Sequence, residues 1–90
     1  MPSKNVTILN ELGLHARAAT RLVECANRFE SNIWLSNGGR RVDGKSIMGL
    51  LTLAAGPGME VLLETEGDDA ELALLELDRL IASGFGDPEL

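Results

Sequence analysis

Ninety residues, 44% of them apolar, 24% charged and 3% aromatic, make one globular domain with a modest aliphatic core. A net charge of −6 argues against general nucleic-acid binding, and no apolar run nears the roughly 20 residues that span a bilayer. The single cysteine, Cys25, excludes an internal disulfide and reads as small core filler, and the N-terminal stretch MPSKNVTILN lacks a secretory signal, so a cytoplasmic protein is expected. The charge is uneven: residues 1–45 carry net +3 and residues 46–90 net −9. An anionic group and an acidic partner surface suit the first half better than the second.

In chain order, Lys4 to Leu9 alternates with Val6 and Ile8 on one side, the pattern of a first strand. Asn10 to Leu14 reads as a loop, since Asn10 and Gly13 are turn residues. The period then becomes helical from Ala16 to Phe29, with Ala16, Ala19, Leu22, Val23, Ala26 and Phe29 on one face and Arg17, Arg21, Glu24 and Arg28 on the other. Asn32 to Ser36 and Arg40 to Asp43 flank Asn37, Gly38 and Gly39, an Asn-Gly hairpin signal. After a turn at Asp43 to Lys45, Ser46 stands at the N-cap of a short second helix carrying Ile47, Met48, Leu50, Leu51 and Leu53. Pro57, between two glycines, belongs to the stretch that ends it.

Met59 to Glu66 puts Val61 and Leu63 on one face and three glutamates on the other, a half-buried fourth strand. Asp68 and Asp69 open a last helix with Ala70, Ala73, Leu74, Leu77, Leu80 and Ile81 on one face, and Gly84 closes it. Leu72 and Leu75 lie outside that face, and Phe85 to Leu90 reads as a loose tail on a single domain spanning residues 1–90 with its core at about 4–84. The order β-α-β-β-α-β-α with one-sided strands predicts an α+β fold, a largely antiparallel four-stranded sheet with three helices on one face. A ferredoxin-like split βαβ arrangement is the nearest alternative, and strand order does not follow from the patterns.

The chemistry centres on the string GLHARAA, Gly13 to Ala19, which holds the only histidine, His15, at the start of a helix. A helix start offers backbone N–H donors and roughly half a positive charge. Neutral imidazole is a nucleophile, and the guanidinium of Arg17 is shaped to hold phosphate oxygens. Nucleophile, dipole and fork together suit a phosphoryl group, although a lone histidine before a helix is ordinarily a surface or capping residue. The string from Gly39 to Ser46 satisfies GxxxxGK[ST] literally, but it spans a hairpin turn, a strand and a short helix start, so it reads as accidental. No cofactor and no metal site is expected.

GLHARAA at 13–19 and DGKSIMGLLTLAA at 43–55, with the spacing between them, resemble HPr, the histidine-containing phosphocarrier of the bacterial phosphotransferase system. The similarity runs from residue 5 to about 83. It implies an open-faced sandwich of four antiparallel strands and three helices. It also implies that His15 accepts phosphate at Nδ1 from phosphorylated enzyme I and passes it to a IIA protein, a stoichiometric carrier rather than an independent catalyst. Arg17 matches the family's active-site arginine, and Ser46 a regulatory site that a kinase phosphorylates in many members. Many members carry proline where Ala18 stands, and the change resembles proteobacterial forms, including the nitrogen-related branch NPr. The expected partner surface comprises Ala18, Thr20 and Arg21 with Ile47, Met48 and Leu51. A monomer is expected, with no nucleic-acid or membrane partner. The alternative reading is a regulatory binding module switched by phosphorylation of Ser46, without phosphoryl relay.

Overall fold

The computed structural model describes residues 1–86. Seven elements follow one another: β1 (Ser3–Thr7), α1 (Ala16–Ala26), β2 (Asn32–Asn37), β3 (Arg40–Asp43), α2 (Ile47–Leu53), β4 (Glu60–Glu66) and α3 (Ala70–Ala82). The strands form one antiparallel sheet in the order β1-β4-β2-β3. The connections through α1 and α2 therefore each step over one strand, as in a split βαβ unit. Register places Val6 opposite Val61 and Leu35 opposite both Leu63 and Val42, so these residues share one face. That face meets the helices, and Leu22, Leu50, Leu77 and Ile81 complete a core with Ile33, Leu35 and Leu63. On the open face Trp34 lies between Glu64 and Asp43, with the Arg41 guanidinium 4.2 Å over its ring.

Several boundaries differ from the sequence expectation for local reasons. β1 ends at Thr7, but Ile8 still donates to the Met59 carbonyl at 2.9 Å and accepts from Gly58 N–H at 2.7 Å, while Leu9 is exposed. α1 stops at Ala26 because its end tightens: Arg28 N–H bonds Cys25 O at 3.1 Å and Phe29 N–H bonds Ala26 O at 3.2 Å. Phe29 thus reaches the core from a turn. Within α1, Ala16 is exposed, whereas Ala18 is fully buried with Ala19, Leu22 and Ala26. The hairpin loop is only Gly38 and Gly39, and Gly38 takes φ +62°, as a tight two-residue turn requires.

The largest departure is at the C-terminal end of α3. Gly84, with φ +69°, donates to Ile81 O at 3.1 Å and Phe85 N–H donates to Leu80 O at 2.9 Å, the hydrogen-bond pair of a Schellman cap. That cap swings Phe85 into the core, where it is fully buried. The expected loose tail is therefore wrong at Phe85, and positions 87–90 lie outside the described residues. At the other end of α3, the Asp69 carboxylate accepts from the Glu30 and Ser31 N–H groups at 3.0 Å each and from the Ser31 hydroxyl. It ties the α1–β2 turn to the start of α3.

Candidate functional site

His15 is the N-cap of α1, with extended backbone (φ −92°, ψ −177°) and no side-chain capping bond. The ring does not consume the helix start, so the donors and positive dipole end remain beside it for an anion. The preceding turn holds it in place. Gly13 N–H bonds Asn10 O at 3.1 Å, His15 N–H bonds Gly13 O at 3.0 Å, and Leu14 N–H bonds Ala55 O at 2.8 Å. Gly13 needs to be glycine twice over: its φ is +65°, and a Cβ there would lie 2.6 Å from the Ala55 carbonyl oxygen. The His15 loop is thereby seated on the turn that follows α2.

The half-buried imidazole presents its two nitrogens differently. Nε2 is sealed from solvent without a hydrogen-bond partner among the described residues, whereas Nδ1 is not among the sealed atoms. Of the two nitrogens, only Nε2 is shut off in this way among the described residues. Burial pushes the half-buried Cys25 thiol up, so the chain's one sulfur nucleophile stays protonated at neutral pH. Two surface grooves among the described residues, one between α1 and α3 and one around Met1, Asp68 and Asp69, do not include His15.

Arg17 is exposed on the first turn of α1, two residues from the ring. Thr20 is also exposed, its hydroxyl donating to Ala16 O at 2.8 Å. Other expected surface residues are placed differently. Ala18 is fully buried beneath α1 and offers a partner no side-chain surface, which corrects its assignment. Arg21 is half-buried and donates to the Phe85 carbonyl at 2.8 Å, clamping the cap of α3. On α2, Met48 and Ile47 are exposed, but Leu51 packs partly against the core. Ser46 caps α2 as expected, its Oγ accepting from Gly49 N–H at 3.1 Å. The GxxxxGK[ST] string runs through the hairpin turn, β3 and this cap.

Two exposed leucines were not anticipated. Leu9 and Leu12, 60% and 64% exposed, lie on either side of Asn10 in the segment before His15. Their signal is faint: leucines in a loop between β1 and a positive-φ glycine have no core position to fill. Met48, 71% exposed, is their counterpart on α2.

The family model described as "PTS HPr component phosphorylation site" matches residues 2–83. The chain belongs to the HPr family. Its fold and its role as a phosphocarrier of the phosphotransferase system follow from that membership. The phosphocarrier protein HPr of Cupriavidus necator is 49% identical over 89 residues, covering 99% of this chain and 100% of the relative. The crystal structure of HPr from Thermoanaerobacter tengcongensis superposes with a TM-score of 0.93 at 42% identity, covering 97% of this chain and 98% of that one. Bacillus subtilis Crh, whose crystal structure is described as a swapped dimer, is 39% identical over 100% of this HPr-family chain and 99% of its own, with a TM-score of 0.72. Among the described residues no helix is long and apolar enough to cross a membrane.

Proposed function

We propose that His15 is the phosphoryl-carrying residue and that Nδ1 is the atom that carries the group. The observation behind this reading is the asymmetry of the ring at an uncapped helix start: Nε2 is sealed and unpartnered among the described residues, and Nδ1 is not. With the proton on Nε2, the Nδ1 lone pair attacks the phosphorus of phosphorylated enzyme I. The bond from phosphorus to the donor breaks and the donor keeps its electron pair. The N–P bond is later broken in the same way by a nucleophile of a IIA protein, and Nδ1 regains its lone pair. Arg17 and the N–H groups at the start of α1 hold the phosphoryl oxygens through charge-assisted hydrogen bonds. Leu9, Leu12, Ile47 and Met48 form the apolar ground on which enzyme I and the IIA protein dock in turn. We read the protein as acting in the cytoplasm as a monomer.

Regulation at Ser46, the N-cap of α2, is a second part of this reading. A phosphate on Oγ would add about 1.5 to 2 negative charges beside Ile47 and Met48 and oppose an acidic partner. A raised KM of enzyme I for Ser46→Asp is the expected result, and an unchanged one removes this part.

The relay itself is tested by intact mass after incubation with enzyme I, magnesium and phosphoenolpyruvate. Wild type should gain a single acid-labile, base-stable phosphate, and His15→Ala none. A phosphate gained by His15→Ala, or none by wild type beside a demonstrably active enzyme I, overturns the proposal.

A further inference from the structure

The turn before His15 contains a residue whose chemistry is out of keeping with its burial. Asn10 is only 6% exposed, a depth at which an apolar side chain packs without polar cost. Among the described residues its Oδ1 has no hydrogen-bond partner, so the acceptor side of the amide is left unsatisfied. The other side is engaged: Nδ2 donates to the Gly13 carbonyl at 2.6 Å. That carbonyl also accepts the His15 N–H at 3.0 Å, and the Gly13 N–H returns a bond to Asn10 O at 3.1 Å. The peptide plane between Gly13 and Leu14 is thus held from one side by the Asn10 amide. Leu14 N–H, bonded to Ala55 O, holds it from the other. Gly13 alone cannot fix this plane, because a glycine at φ +65° is free to adopt many others.

We infer that Asn10 is a positioning residue for phosphoryl transfer: its buried amide fixes the Gly13 carbonyl and, through it, the His15 backbone that sets Nδ1 at the start of α1. This rests on the proposed role of His15. Aspartate has the same shape but lacks the donor, and would set a second oxygen against the Gly13 carbonyl. Alanine removes the tie altogether. A misplacement of about 1 Å at a reacting group costs up to a hundredfold in rate, so loss of this tie acts on turnover more than on docking.

The test uses the full chain as the substrate of enzyme I, comparing wild type with Asn10→Asp, Asn10→Ala and Ser31→Ala. The Ser31 variant weakens the latch to Asp69, on other elements, and supplies a control destabilised outside the turn. Both Asn10 variants should lower kcat by about tenfold or more with KM changed less than twofold, and should move the imidazole 15N resonances of His15. Ser31→Ala should lower Tm and leave kcat and those resonances unchanged. Wild-type kcat with unmoved resonances in either Asn10 variant overturns the inference, as does a rate loss that merely follows Tm across all three. A second readout needs no variant: the Asn10 side-chain amide protons of wild type should exchange slowly and shift when His15 is phosphorylated. Exchange at the rate of a solvent-exposed amide, or no shift, overturns it equally. A wild type that takes no phosphate defeats the role of His15 instead, a result distinct from all of these.

Discussion

Phe85→Ala should be among the most damaging single changes in the molecule, although Phe85 follows the last helix near the chain end. The ring is fully buried. Removing a buried phenylalanine side chain costs about 3–5 kcal/mol through lost transfer energy and the cavity left behind. The left-handed backbone at Phe85 (φ +65°) is shared by the variant, so it cancels, and the carbonyl that accepts from Arg21 is retained. At the lower end of that range the cost is about 3 kcal/mol. With a urea m-value of about 1 to 1.5 kcal/mol/M for a domain of this size, the midpoint should fall by roughly 2 to 3 M with m unchanged. The emission of Trp34, the only tryptophan, reports the transition. Phe85→Leu, which refills most of the space, should cost less than about 1.5 kcal/mol. A shift below about 0.5 M for Phe85→Ala would refute the claim that this residue closes the core.

Other predictions follow from single contacts. Ala54 caps α2 in the left-handed region (φ 55°, ψ 38°), so Ala54→Gly should relieve about 1–2 kcal/mol of strain against about 0.5–1 kcal/mol of added unfolded-chain entropy. A small rise in Tm is the expected result, and a fall contradicts it. The Ser31 hydroxyl and then the Glu30 N–H hold the Asp69 carboxyl below its ordinary value. The charged form is thus favoured in the folded state, so its stabilisation is present above the unfolded value and lost as pH falls through the folded one. Urea midpoints measured from neutral to acid pH should fall less steeply for Asp69→Asn than for wild type, and parallel curves would refute the latch. Arg17→Ala should slow phosphoryl transfer from enzyme I about tenfold, the low end for charged hydrogen bonds at an exposed site. Unaltered transfer would remove Arg17 from the mechanism.

The elements were legible because their periods are clean. Val61 and Leu63 alternate with glutamates, and Ala73, Leu77 and Ile81 recur at helical spacing, so β4 and α3 stand within a residue or two of their expected ends. Strand order is set by non-local pairing of Leu35 with Leu63 and Val6 with Val61, which no local pattern encodes. Phe85 was misread because Gly84 was taken only as a stop. A Schellman cap is often followed by an apolar residue that packs back on the helix, and here that residue, Phe85, belongs to the core. At the site, His15, Arg17 and Ser46 were visible in two motifs, and His15 and Ser46 are indeed helix N-caps. Ala18 was misplaced because alanine suits either face of a helix and gives no hydropathy signal of its own. Asn10 was seen only as a turn residue, since what it does depends on burial and on the Gly13 carbonyl, both products of the fold.

The central claim is that Nδ1 of His15 carries the phosphoryl group, and 15N NMR of protein labelled in histidine tests it most directly. The chain has one histidine, so its two ring nitrogens give an unambiguous spectrum. After phosphorylation by enzyme I and phosphoenolpyruvate, Nδ1 should show the shift of a phosphorylated nitrogen and coupling to phosphorus, while Nε2 keeps its proton. Coupling at Nε2, or a phosphorylated protein whose imidazole signals do not change, would contradict the account.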